Sequence, residues 1–195
     1  MKTFRLFALV LCTAAIATPL SWKPAPAQEV LQIAQSNWNT FSSPNGAFSI
    51  LMPGSPQPVV QQTVNLPEGQ VTSSLFGSRT EDSAYIVGYS DLPGAAIASA
   101  ADRQLLFDSF LEGFARSING QVVGQNPIQL NRYEGREFEV QMNEGITAIG
   151  RVYLVEQRLY QMVAVIQREQ NSSQRIQGFF DSFRLGADST AQPTR

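Results

Sequence analysis

Glu137 and Glu139 stand one residue apart in the segment Arg136–Met142, where Phe138, Val140 and Met142 alternate with Glu137, Glu139 and Gln141. On a strand, that spacing puts both carboxylates on one face about 7 Å apart, within the separation an inverting glycosidase uses for its acid and base. The competing reading is a solvated face opposite an apolar one. It prevails, because no ring of Trp or Tyr can be argued around the pair. Glu81-Asp82 lies in a short polar link, and a Ca²⁺ loop needs a denser oxygen run such as D-x-D-x-D, so these residues read as a turn. Asp102, Asp108 and Glu112 fall in a helical pattern, where Asp108 and Glu112 at i, i+4 make an acidic exposed face. Arg136, Arg151 and Arg158 are the cations that would have to converge to hold an anion, but pairing with neighbouring Glu is the commoner use of such residues.

Absent residue types narrow the chemistry further. The sequence has no His, and its single Cys (Cys12) and both Lys (Lys2, Lys23) precede residue 28. The chain beyond that point cannot build the usual zinc site, a Ser-His-Asp or Cys-His nucleophile, or the common haem ligand. It also lacks the amine of a Schiff base or a P-loop cation. No catalytic, cofactor-binding or metal-ligating residue is assigned, and the chain reads as a non-enzyme.

Residues 1–27 read as a signal peptide. Lys2 and Arg5 open it, Leu6 to Ala17 is a short apolar run, and Ala25-Pro26-Ala27 closes it with an A-x-A cleavage pattern. The run is too short for a membrane span, which needs roughly 20 apolar residues. Leu11 precedes Cys12 where lipid-modified signals carry a small residue, so no lipid anchor is expected. Cleavage after Ala27 leaves 168 residues with eleven Arg against sixteen acidic residues, a net charge of −5. An acidic domain without Lys is a poor nucleic-acid binder.

The elements that must position any site follow from periodicity. Residues 28–37 are a polar lead-in, 38–185 the folded domain, and 186–195 a small polar tail expected to be disordered. Strand patterns run over Trp38–Phe41 and Ala47–Met52, with Asn45-Gly46 expected to supply the positive φ angles of the turn. Others cover Val59–Leu66, Gln70–Ser78, Ser83–Ser90, Gln121–Leu130, Arg136–Met142 and Ile146–Val155. Leu159–Ile166 is apolar on both faces and predicts a central, doubly covered strand. Pro127 marks Gln121–Leu130 as an edge. Phe107, Phe110, Leu111, Phe114 and Ile118 line one face of a helix from Ser99, its N-cap, to Ile118. A second helix, capped by Ser172 or Ser173, presents Ile176, Phe179, Phe180 and Phe183. The fold class is α+β: a single domain with a largely antiparallel β-sheet covered by a helix on each face.

Several segments carry a family resemblance. Phe48-Ser49-Ile50-Leu51-Met52-Pro53-Gly54, Tyr133-Glu134-Gly135-Arg136-Glu137-Phe138, Arg158-Leu159-Tyr160 and Phe179-Phe180-Asp181-Ser182-Phe183-Arg184-Leu185 resemble, in order, segments of the PsbP-like family of lumenal and bacterial secreted domains. The resemblance spans most of Trp38 to Leu185. It implies an α/β/α sandwich and a non-catalytic role at a membrane complex in the thylakoid lumen or periplasm. Metal sites described in that family use His, which this chain lacks, so no metal is carried over.

The functional expectation is an exported accessory or assembly protein. Its partner would be a protein at a membrane complex, with the chain peripheral to the membrane and not spanning it, and with no nucleic acid and no cofactor. The alternative is a domain binding a small apolar ligand, a lipid or pigment, between a Phe-rich helix and the sheet. Core packing is the competing account of both Phe stripes.

Overall fold

In the computed structural model, residues 37–67, 69–167 and 173–186 are described. The expected signal peptide, residues 28–36 of the lead-in, the tail from residue 187 and the Ser172 cap lie outside them. The strands are β1 (Trp38–Ser43), β2 (Phe48–Pro53), β3 (Gln57–Leu66), β4 (Gly69–Arg79), β5 (Ser83–Asp91), β6 (Gln121–Leu130), β7 (Tyr133–Gln141), β8 (Ile146–Val155), β9 (Arg158–Gln167) and β10 (Arg184–Leu185). Helix α1 (Ala100–Ser117) separates β5 from β6, and α2 (Ser173–Asp181) separates β9 from β10.

Seven strands form an antiparallel sheet in the order β3-β4-β5-β9-β8-β7-β6. The β9 strand occupies its middle, with Leu159 to Ala164 all buried, as a strand apolar on both faces requires. Strand β6, with Pro127, lies at one edge. One face carries Phe138, Val140, Ala148, Val152, Leu154 and Val163 and packs on Leu106, Phe107, Phe110, Leu111 and Phe114 of α1. The other carries Tyr85, Val87, Tyr89, Tyr153, Tyr160 and Met162 and packs on Phe48, Ile50 and Met52 of β2 and on Ile176, Phe179 and Phe180 of α2. A helix therefore covers each face.

Helix α1 begins with a capping box. The Ser99 side chain accepts the Asp102 N–H at 3.1 Å, and Asp102 Oδ2 accepts the Ser99 N–H at 2.9 Å, which together occupy two helix-end donors. It ends at Ser117 with Ile118 as its C-cap, and Asn119 just beyond is in the left-handed conformation at φ 51°, which suits a helix stop.

Two local expectations need correction. The first hairpin does not join the large sheet. Strand β2 pairs with β1 on one side and with β10 on the other, through Phe48–Leu185 and Ser49–Arg184, making a separate three-stranded sheet. The positive φ of its turn falls on Ala47 (φ 49°), not on Asn45-Gly46. Gly46 is required for space, since a Cβ there would lie 2.5 Å from the Phe48 ring.

Strands β7 and β8 show one device on both faces. Phe138 is the register partner of Gly150, and a Cβ on Gly150 would lie 2.2 Å from the end of the Phe138 ring. On the opposite face, Tyr153 is the partner of Gly135, and a Cβ there would lie 2.5 Å from the Tyr153 ring. Each ring reaches over a bare glycine at its cross-strand position.

Candidate functional site

The charged groups that sequence reasoning singled out are dispersed over the sheet. Arg136, Arg151 and Arg158 do not converge. Arg151 reaches Glu137 on β7 at 2.7 Å and Asp181 on α2 at 3.1 Å, and its guanidinium lies over the Phe180 ring. Arg158 makes two bonds to Asp91 (2.5 and 3.0 Å), donates to the Asn45 carbonyl at 3.0 Å, and lies over the Tyr89 ring. Arg136 donates to Gln104 of α1 and lies over Phe107.

The pattern is a set of braces between layers. Arg158 works beside Tyr160, whose hydroxyl donates to the Gly46 carbonyl at 2.8 Å, and together they hold the β1–β2 turn on the large sheet. Arg151 holds the C-terminal end of α2, and the N-terminal half is held by Arg175, 2.7 Å from Asp82 in the β4–β5 turn. The Leu51 N–H donates to the Ser182 hydroxyl at 2.9 Å, tying the two parts of this layer to each other. Planar guanidiniums bonded to carboxylates and stacked on rings suit such joints, because one side chain satisfies polar and apolar neighbours at once.

The carboxylates divide accordingly. Glu137 is taken by Arg151, while Glu139 is exposed on β7. Glu81 is exposed; Asp82 accepts from Thr80 (2.8 Å), Ser83 (3.1 Å) and Arg175. This turn proves to be a brace that sequence reasoning missed. Asp102 serves the capping box, and Asp108 and Glu112 stay exposed on the outer ridge of α1 with Leu105, which is 42% exposed. Both Phe stripes are core: Phe107, Phe110, Phe114, Phe179, Phe180 and Phe183 are each 5% exposed or less. Phe110 and Phe114 meet Phe138 edge-on, and Phe179 meets Tyr85 in the same way.

A surface groove of about 510 Å³ lies where α1 meets the β6 edge, lined by Gln104, Pro127, Ile128, Gln129, Glu134 and Arg136. Among the described residues, no three His, Cys, Asp or Glu side chains gather as a metal site, and no helix is long and apolar enough to cross a membrane.

No family model matches this chain, and no curated protein matches it in sequence. Solved structures do match in shape. Cyanobacterial PsbP (CyanoP) from Synechocystis sp. PCC 6803 aligns with a TM-score of 0.53 at 12% identity, over 76% of this chain and 92% of that one. The fold is PsbP-like. A Pseudomonas aeruginosa protein of unknown function, the putative regulator PA94, aligns with a TM-score of 0.41 at 10% identity, over 82% of this chain and 99% of that one. The Saccharomyces cerevisiae Ran-binding protein Mog1p aligns with a TM-score of 0.44 at 9% identity, over 80% of this chain and 99% of that one.

The Asp82 brace carries a pH signature. Burial alone would raise the Asp82 pKa, but hydrogen bonds from Arg175, Thr80 and Ser83 and the charge of Arg175 outweigh it and hold the group below its ordinary 3.8. Asp181 is lowered too, first by the hydrogen bond from Gln177 and then, against burial, by Arg151. A carboxylate with a depressed folded pKa stabilises the fold above its unfolded pKa, and that contribution is lost as pH falls through the folded value. Urea midpoints taken from about pH 5 down to about pH 2 should therefore fall, and Asp82→Asn should flatten that fall. An equal slope in the variant would mean that the brace contributes nothing to acid stability.

Proposed function

We propose that the chain is a non-catalytic, exported accessory protein that docks reversibly on a membrane complex in a periplasm or thylakoid lumen. The observation that carries this reading is the division of its charges. Every arginine on the sheet singled out from the sequence is used as a brace, whereas the outer ridge of α1 presents Asp108 and Glu112 to solvent beside the exposed Leu105. A ridge with two acids and an exposed leucine at its N-terminal end, on a fold similar to that of cyanobacterial PsbP, is suited to a protein partner whose facing surface is basic. Charge then guides encounter, and the contact weakens with salt.

Washing native membranes with about 1 M salt, where the screening length shrinks to roughly 3 Å, should release the protein; a chelator at low salt should not. The double charge reversal Asp108→Lys/Glu112→Lys should abolish retention at low salt while shifting stability by no more than about 0.5 kcal/mol, as exposed positions do. Release by chelator alone would instead indicate a metal bridge. Unchanged retention of the double variant would remove the α1 ridge as the docking surface.

A further inference from the structure

Arg136 differs from the other arginine braces in what it holds. Arg151, Arg158 and Arg175 each bond a carboxylate, whereas both acceptors of Arg136 are neutral: the Gly135 carbonyl at 3.1 Å and the Gln104 side-chain oxygen. The Phe107 ring under its guanidinium is a further neutral neighbour. Among the described residues, no carboxylate lies within ion-pair distance of Arg136. Glu134, two residues back on the same strand face and about 7 Å away along the strand, pairs instead with Arg103 of α1 at 3.7 Å. The groove at the β6 edge is therefore lined by a half-buried cation that no anion compensates.

We propose that this groove binds a small hydroxylated monocarboxylate, of the size and chemistry of a sugar acid. The planar guanidinium of Arg136 can offer a carboxylate two parallel N–H groups, and the neutral Gln104 oxygen is the acceptor that such an anion would displace. Arg103 and Arg136 against Glu134 leave a single positive charge at the site. A monoanion is neutralised there, while the second charge of a phosphate dianion would be repelled by Glu134. Gln104 and Gln129, both exposed, carry amides that donate and accept, which suits hydroxyl groups. Pro127 and Ile128 supply an apolar wall for the carbon chain. A volume of about 510 Å³ lies within the range of small-ligand sites. A lipid or pigment fits poorly, because four of the six lining residues are polar or charged and an apolar ligand would leave them without partners.

The test is titration of the purified, isotopically labelled protein with gluconate, followed by NMR. The Arg136 Nε–H and the Gln104 and Gln129 side-chain amides should shift together with a Kd of about 1 mM or tighter, while the Nε–H groups of Arg151 and Arg158 stay in place. Hexanoate keeps the carboxylate without hydroxyls, glucose keeps hydroxyls without the charge, and inorganic phosphate carries the larger charge. Each should bind at least about fivefold more weakly than gluconate. Arg136→Lys retains the charge but loses the fork, and should weaken gluconate binding about tenfold. Its melting temperature shows whether it folds; if it does not, the wild-type shifts decide. No shift up to about 10 mM gluconate would overturn the proposal. So would equal shifts at Arg151 and Arg158, equal affinity for hexanoate, glucose or phosphate, or a folded Arg136→Lys protein that binds gluconate unchanged. Membrane retention plays no part in these readouts, so the docking surface on α1 stands or falls separately.

Discussion

Phe179→Ala is expected to lower the unfolding free energy by about 3–5 kcal/mol, the range for removing a fully buried phenylalanine ring. Phe179 is 0% exposed and meets Tyr85 edge-on at 5.2 Å and Phe180 at 5.3 Å. The helix that presents it has nine residues, too few to hold its shape alone in water, so α2 exists because Ile176, Phe179 and Phe180 are buried. Urea denaturation separates two outcomes. A lower midpoint at unchanged slope means that the domain still unfolds as one unit, and a reduced slope means that α2 has already left the sheet in the native state. A loss below about 1 kcal/mol would contradict the placement of α2 as a core layer.

The second large effect concerns the ring-over-glycine pair. Phe138→Ala should cost about 3–5 kcal/mol, because Phe138 is 2% exposed and sits against Phe110 and Phe114. Gly150→Ala should cost about 1–3 kcal/mol by overpacking, since the ring 2.2 Å from the new methyl is held by the helix and cannot swing away. The double variant decides the mechanism. With the ring gone the methyl has room, so the two losses should fall short of additivity by about 1 kcal/mol or more. Additive losses would show that Gly150 is needed for its backbone and not for the ring above it.

Much of this architecture is legible in the sequence, and the illegible part has a physical cause. The run Leu159–Ile166, apolar on both faces apart from Gln161, calls for a strand covered twice, and it belongs to the middle strand of seven. The i, i+3, i+4 stripe from Phe107, together with Ser99 and Asp102, specifies both the buried face and the first turn of α1. The departure of the first hairpin from the main sheet is a different matter. Alternation of Phe48, Ile50 and Met52 says that one face is buried but not against which strand, and its second partner, β10, has only two residues. Charged partners are hidden for a similar reason. Arg158 finds Asp91 at a separation of 67 residues, and Arg175 finds Asp82 at 93. Neighbouring Glu explained only Arg151 with Glu137, because a cross-strand register brings those two together. The acidic ridge of α1 was readable from helical spacing alone.

Strand β2 waits for β10 across about two-thirds of the chain: the bond between the Leu51 N–H and the Ser182 hydroxyl spans 131 of 195 residues. Contacts so far apart in sequence form late, since the intervening chain must be ordered before they repay the cost of closing the loop. During synthesis from the N-terminus, the first hairpin therefore stays unfinished, with Phe48, Ile50 and Met52 lacking their cover. Completion of the domain is timed by the arrival of its last strand.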